Sequence, residues 1–321
     1  MDHRSLAALF RRIVLAGPPL LLGAGFNFGC GSFGDCPAPD TTETVAVGQM
    51  DAGSVDGSID DLIARCQASS SDCTPLCERF AHMGAKSCQV VMVDGGLEVR
   101  IVYANPCGGR CPEGLAPPAH GGTGDPLGAW LAASAHLEAA SIDAFEILAT
   151  ELGAHRAPPA LIQAARAATA DERRHADAIG RLAASRGAVP PGVYVNRSPI
   201  RDIEAVAREN GVEGCVRETY AALLACRQAR AATDPALRSA MAGIARDETR
   251  HAALAWAVDR WSQALLAPAA RRRVREARRE AIEGLLDAPL AGLSRDDRAQ
   301  AGLPDEEEEA RMVGALGARL V

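Results

Sequence analysis

Aromatic residues are scarce: Phe, Tyr and Trp together make up 4% of this 321-residue chain. No stripe of basic residues interleaved with aromatics occurs, and the formal net charge is −7. Together these exclude a nucleic-acid partner. With Ala and Leu dominating everything after residue 126, the composition favours helices over strands. Long apolar runs are missing as well. The one at the N-terminus, Ile13 to Phe28, is interrupted by Pro18 and Pro19 and is too short to span a bilayer comfortably.

What is present at the N-terminus is the pattern of an export signal over residues 1–30, with Arg4, Arg11 and Arg12 ahead of the apolar run. The run ends in Asn27-Phe28-Gly29-Cys30. A small residue before Cys resembles a bacterial lipoprotein processing site, with Cys30 as the lipidated residue, although Asn27 stands where an aliphatic residue is usual. The expected location is the periplasm or cell envelope, with attachment to the membrane if Cys30 carries a lipid. Cysteine use points the same way, because eight of the ten cysteines fall between Cys30 and Cys111. Cys66, Cys73, Cys77, Cys88, Cys107 and Cys111 form an even set expected of a small disulfide-stapled unit in an oxidising compartment. The rival reading is zinc, since Cys73/Cys77 and Cys107/Cys111 are both C-x3-C pairs.

Residues 31–60 are rich in Gly, Asp, Thr and Ser without sustained periodicity, the composition of a flexible tether. The Cys-rich unit follows over 61–116. Within it, two alternating apolar runs flank Asp94-Gly95-Gly96 and predict a β-hairpin. A Pro/Gly linker leads at residue 125 into helical patterning. Leu131, Glu138, Phe145 and Leu152 recur every seven residues, which places Glu138 in an apolar stripe. Leu161, Ala165, Ala168, Glu172, His175, Ile179 and Leu182 alternate spacings of four and three. Leu237, Met241, Ile244, Glu248, His251, Ala255 and Val258 repeat that pattern, and Glu213, Val216, Tyr220 and Leu223 share one face of a third helix. Short turns near Pro158 and Pro235, with a longer connection through Pro190, Pro191 and Pro199, give two helical hairpins joined by one long crossover over 125–266. A helical tail over 267–321 follows, and its run Asp305 to Glu309 reads as a solvated helix start.

The motifs that carry chemistry are two near-identical hexapeptides, Asp171-Glu172-Arg173-Arg174-His175-Ala176 and Asp247-Glu248-Thr249-Arg250-His251-Ala252. Glu138 precedes Glu172 by 34 residues and Glu213 precedes Glu248 by 35. Glu138, Glu172, His175, Glu213, Glu248 and His251 therefore lie where a bundle would place Leu. Unpaired carboxylates in a core are strongly disfavoured and four of them repel one another. Two divalent cations would neutralise the set and keep open coordination positions. Asp143 and Glu218, five positions beyond Glu138 and Glu213, turn away from the stripe on a 3.6-residue period and read as partners for Arg174 or Arg250. Cys215 and Cys226 read as buried thiols, and His136 and His155 as exposed.

On these residues the segment 126–262 resembles the ferritin-like di-iron carboxylate superfamily, which includes rubrerythrins, bacterioferritins and di-iron oxygenases. The resemblance implies a mainly α protein whose ferritin-like four-helix bundle has one long crossover and is preceded by the small Cys-rich unit. It implies two iron ions, with manganese as the alternative metal. Glu172 and Glu248 would bridge the metals, Glu138 and Glu213 would be terminal ligands, and His175 and His251 would bind one metal each. Asp171 and Asp247 would hydrogen-bond the histidines from the facing helix, and Tyr220 is a further candidate near the site.

The expected activity is an oxidoreductase acting on O2 or peroxide with an unidentified reductant. The alternatives are iron storage or detoxification, and a surface-anchored structural or binding lipoprotein in which the metals only stabilise the bundle. The C-x3-C pairs do not match the C-x2-C…C-x2-C iron site of rubrerythrins, which leaves no obvious internal electron donor.

Overall fold

The computed structural model describes residues 41–46, 85–93, 96–103, 110–116, 125–286 and 293–320. The export signal with Cys30, together with Cys66, Cys73, Cys77 and Cys107, lies outside them, as does the side chain of Cys88. The chain divides into two compact units, one spanning 37–105 and one containing 106–321.

The 37–105 unit contains three strands, β1 (Thr41–Ala46), β2 (Ala85–Val93) and β3 (Gly96–Tyr103), in the order β1-β3-β2. β2 and β3 pair antiparallel from Val93↔Gly96 to Ala85↔Tyr103, around the Asp94-Gly95-Gly96 signal. β1 pairs antiparallel with the other edge of β3, from Thr41↔Tyr103 to Ala46↔Glu98. Composition had assigned 41–46 to the tether. Its Thr and Val residues favour a pleated strand, but the partner is remote in sequence, so no local hairpin signal marks it.

The other unit is predominantly helical. α1 (Pro126–Ala154) and α5 (Pro235–Leu265) begin alike. Asp125 accepts the Gly128 N–H at 2.6 Å, and Asp234 accepts the N–H groups of Ala236 and Leu237. An aspartate cap followed by proline in the first turn satisfies helix-start donors that have no intrahelical partner. α2 (Pro159–Ala184) returns along α1 after a four-residue turn in which Arg156 takes a left-handed conformation, φ 58°. A long crossover leads to α3 (Ile203–Glu209), which continues as a π-helical stretch, Asn210–Glu218, into α4 (Thr219–Ala231). α4 packs along α5, and α2 faces α5.

Two apolar layers hold these rods together. One joins Leu127 and Leu131 of α1 to Ile179 of α2, Leu224 of α4 and Met241 of α5. The other joins Phe145 and Leu152 of α1 to Leu161 of α2 and Val258 of α5, with Val206 of α3. Burying each such side chain contributes roughly 1.5–3 kcal/mol. The Glu and His side chains of the hexapeptides lie between these layers.

α6 (Pro268–Leu286), α7 (Arg295–Ala301) and α8 (Glu306–Leu320) are part of the same packing. Ile282, Val313 and Leu316 cover the outer side of α4 and α5 against Tyr220 and Trp256. The acidic start of α8 is only half solvated. Glu306 and Glu307 are exposed, Glu308 meets Arg227 at 2.6 Å, and Glu309 is buried. Gly302 ends α7 in a left-handed conformation, φ 69°, and a Cβ there would fall 2.4 Å from the Ala232 amide nitrogen. His136, expected at the surface, is buried beside the Pro191 carbonyl, because the crossover folds back over α1. Among the described residues no helix is long and apolar enough to cross a membrane.

Candidate metal centre

α2 and α5 carry the hexapeptides at the same depth, so their Glu and His side chains meet in the interior. Ligand atoms of Glu138, Glu172, His175 and Glu248 all lie within 4.8 Å of one another. A second group, Glu218, Glu248 and His251, meets the same criterion and shares Glu248 with the first. All six side chains are buried.

The arrangement has a pseudo-twofold. Glu172 lies between the imidazoles, with one oxygen 3.0 Å from His251 Nδ1 and the other 3.6 Å from His175 Nδ1. One oxygen of Glu248 likewise stands 3.2 Å from His175 Nδ1 and 3.6 Å from His251 Nδ1. Glu138 flanks His175 at 3.2 Å, and Glu218 flanks His251 at 3.8 Å. The two imidazole centroids are 5.9 Å apart. Phe145 packs on the His251 ring at 4.9 Å and closes that side.

Both imidazoles turn Nδ1 inward and Nε2 outward. His175 Nε2 meets Asp247 Oδ2 at 3.2 Å, and His251 Nε2 meets Asp171 Oδ2 at 3.2 Å. The Asp171 and Asp247 pKa values are lowered despite burial, by their histidines and by the arginines around them. Each is therefore an acceptor, and Nε2–H is the donor. Each guanidinium of the repeat binds both aspartates. Arg174 Nη2 reaches Asp171 at 2.6 Å and Asp247 at 3.0 Å, while Arg250 Nη2 reaches Asp171 at 3.0 Å and Asp247 at 2.7 Å. Asp143, one expected partner of these arginines, pairs with Arg197 instead.

Burial pushes the Glu138 and Glu218 carboxyls well above their ordinary pKa, helped by repulsion from Glu172 and Glu248 respectively. Burial works the same way on Glu172 and Glu248, but hydrogen bonds from both imidazoles pull them below the ordinary value. Burial disfavours charge on the histidines too. Asp247 and Glu138 outweigh it at His175, and Asp171 and Glu172 outweigh it at His251, so both are raised.

Despite these contacts, both oxygens of Glu172, Glu218 and Glu248 and the Nδ1 of His251 have no well-directed hydrogen bond. Buried acceptors are ordinarily satisfied, and one left without a partner costs about 1–3 kcal/mol, more when charged. Acceptors converging from four rods on a common volume are the arrangement that a cation bound by oxygen and imidazole requires.

Glu213 stands elsewhere. Its Oε2 accepts the Cys111 N–H at 3.1 Å and its Oε1 lies 3.5 Å from Arg217 Nε. Glu218, which a 3.6-residue period turns outward, takes the place beside His251. The π-helical stretch explains the exchange. Hydrogen bonds closing on the fifth residue bring positions five apart onto one face, so Glu213 and Glu218 are stacked and the latter reaches inward. The sequence signal was the Glu213-x4-Glu218 spacing itself, read on the wrong period. Tyr220 is turned away by the same shift and donates its hydroxyl to Glu309 Oε1 at 3.3 Å. Cys111 and the thiols Cys215 and Cys226 are buried, and burial pushes the Cys215 pKa up. No family model matches the chain, and no curated protein or solved structure matches it either.

Proposed function

We propose that residues 125–266 form a ferritin-like four-helix bundle holding two metal ions, iron in the first instance, for redox chemistry with O2 or peroxide. Glu138 and His175 would serve one metal, Glu218 and His251 the other, and Glu172 and Glu248 would lie between them. The observation that carries the reading is the set of buried acceptors without hydrogen-bond partners, three carboxylates and one imidazole nitrogen, meeting at one point of the core. A cation satisfies them all at once, and no arrangement of protein donors nearby does.

Bound iron would supply open positions for the oxidant and electrons for its reduction. The chain's own part is ligation, orientation and exclusion of water. Asp171 and Asp247 hold each imidazole with Nδ1 as the inward lone pair, and Arg174 and Arg250 hold the aspartates. The apolar layers above and below keep the centre dry. Manganese is the alternative metal. In keeping with the N-terminal pattern, the protein acts in the periplasm or cell envelope, lipid-anchored through Cys30, with its Cys-rich unit cross-linked by disulfides and an external reductant supplying electrons.

The test is anaerobic titration with ferrous iron followed by O2. Two irons per chain and a diferric absorption band are expected. Saturation with no band would leave the metals a stabilising role only, and no binding would sink the reading.

A further inference from the structure

We propose that Arg110 is the positioning residue that holds the π-helical register of Asn210–Glu218, and through it keeps Glu218 rather than Glu213 in the metal centre. The inference rests on the di-metal reading above.

Arg110 belongs to none of the four rods, since it precedes α1 by 16 positions, yet it is 1% exposed. A guanidinium so buried needs fixed partners, and these sit where the π stretch begins. Nε donates to Glu209 Oε1 at 2.9 Å, Nη2 pairs with the same oxygen at 2.9 Å, and Nη1 donates to Asn210 Oδ1 at 3.3 Å. Asn210 in turn donates to the Ala255 carbonyl of α5 at 2.9 Å. Main-chain groups of the same segment pin the rest. The Cys111 N–H holds Glu213 in mid-stretch at 3.1 Å, and Ser141 of α1 donates to the Arg110 carbonyl at 2.9 Å. The start and middle of the π stretch are thus tied through two adjacent residues to α1.

Packing is built around the same guanidinium. A Cβ on Gly214 would fall 3.0 Å from Arg110 Nη1 and 2.7 Å from the Ala255 Cβ, so glycine is what admits Arg110 at this point of the helix. Arg110 lies 5.9 Å over the Phe145 ring, which packs on His251. It therefore borders the Glu218–His251 half of the centre without being one of the ligands.

A π-helical stretch is rare, and an α-helix is what the chain would otherwise form. In an α-helix, Glu213 and Glu218 differ by about 140° around the axis. Reversion would turn Glu218 out of the centre. Arg110 and Cys111 oppose it because Glu209, Asn210 and Glu213 meet their partners only in the π register.

The test compares the full chain with Arg110→Ala, Arg110→Lys and Arg110→Ala/Glu218→Gln, using two measurements. Without metal, hydrogen exchange of the amides in 210–218 should quicken in Arg110→Ala while those of α1 and α2 stay protected, which also shows that the variant is folded. In anaerobic ferrous titration, the second iron should weaken by about 10–100-fold and the first should hold. Arg110→Lys, which keeps the charge but loses the fork, should fall between. Glu218→Gln should add nothing to Arg110→Ala. Unchanged exchange in 210–218, or a second iron bound as tightly as in the parent, would overturn the proposal. If the parent bound no iron the di-metal reading would fail by itself, and the exchange result would still decide whether Arg110 locks the register.

Discussion

His175 on α2 donates its Nε2–H to Asp247 on α5, 3.2 Å away, and this single bond decides which nitrogen faces the core. His251 and Asp171 repeat it in the opposite sense between the same helices. Asp247→Asn would remove the charge that favours the Nε2–H tautomer. Metal affinity at the His175 side is expected to fall about 10–100-fold, measured by competition with a chromophoric chelator. Unchanged affinity would mean that the aspartate is only a surface partner of Arg174.

Glu218 and Glu213 make opposite predictions. Glu218→Gln should leave one tightly held metal per chain. Glu213→Gln, whose amide oxygen can still accept the Cys111 N–H, should keep both. Metal analysis of the purified variants distinguishes them, and the reverse pattern would restore Glu213 to the centre.

Metal affinity should rise with pH. The raised values of His175, His251, Glu138 and Glu218 mean that, with no cation between them, these groups hold protons around neutrality. Binding must displace those protons. Acidification therefore competes with the metal, and proton release on loading in weakly buffered solution should rise as the starting pH is lowered toward neutrality. Loading without proton release would contradict the assignment of these residues as ligands.

Chelation should destabilise the fold. A ligand present at a hundredfold over its Kd stabilises by about 2.7 kcal/mol, and here it also removes repulsion among buried carboxylates. Thermal unfolding with and without ferrous iron should show the shift. In the metal-free protein, Glu218→Gln should not lower the midpoint.

Asp234→Ala should cost about 1 kcal/mol at neutral pH by uncapping α5. The Asp234 pKa is lowered chiefly by the Leu237 N–H, so its contribution is present above the unfolded carboxylate value and is lost as pH falls through the folded one. Parent and variant should converge in stability at low pH, as denaturant unfolding would show.

Much of this was legible in the residues. The spacing of four and three through Leu161, Glu172, His175 and Leu182 predicted which face of α2 points inward, because a 3.6-residue period is a local property of an α-helix. The turns near Pro158 and Pro235 were legible for the same reason. What stayed hidden depended on distant partners. β1 finds its edge more than fifty residues later, at Tyr103, and His136 is covered by a crossover that no periodicity predicts. Arg110 carries no signal of burial between two cysteines, since its partners Glu209 and Asn210 lie about a hundred positions away.

By itself the sequence determined that two Asp-Glu-x-Arg-His-Ala copies put their carboxylates and imidazoles into a helical core, where charge demands compensation. Only the tertiary structure decided which glutamate completes the set. That choice rests on a π-helical register held by Arg110, Asn210 and Cys111, and helical period is fixed by such contacts when they outweigh the local preference for α.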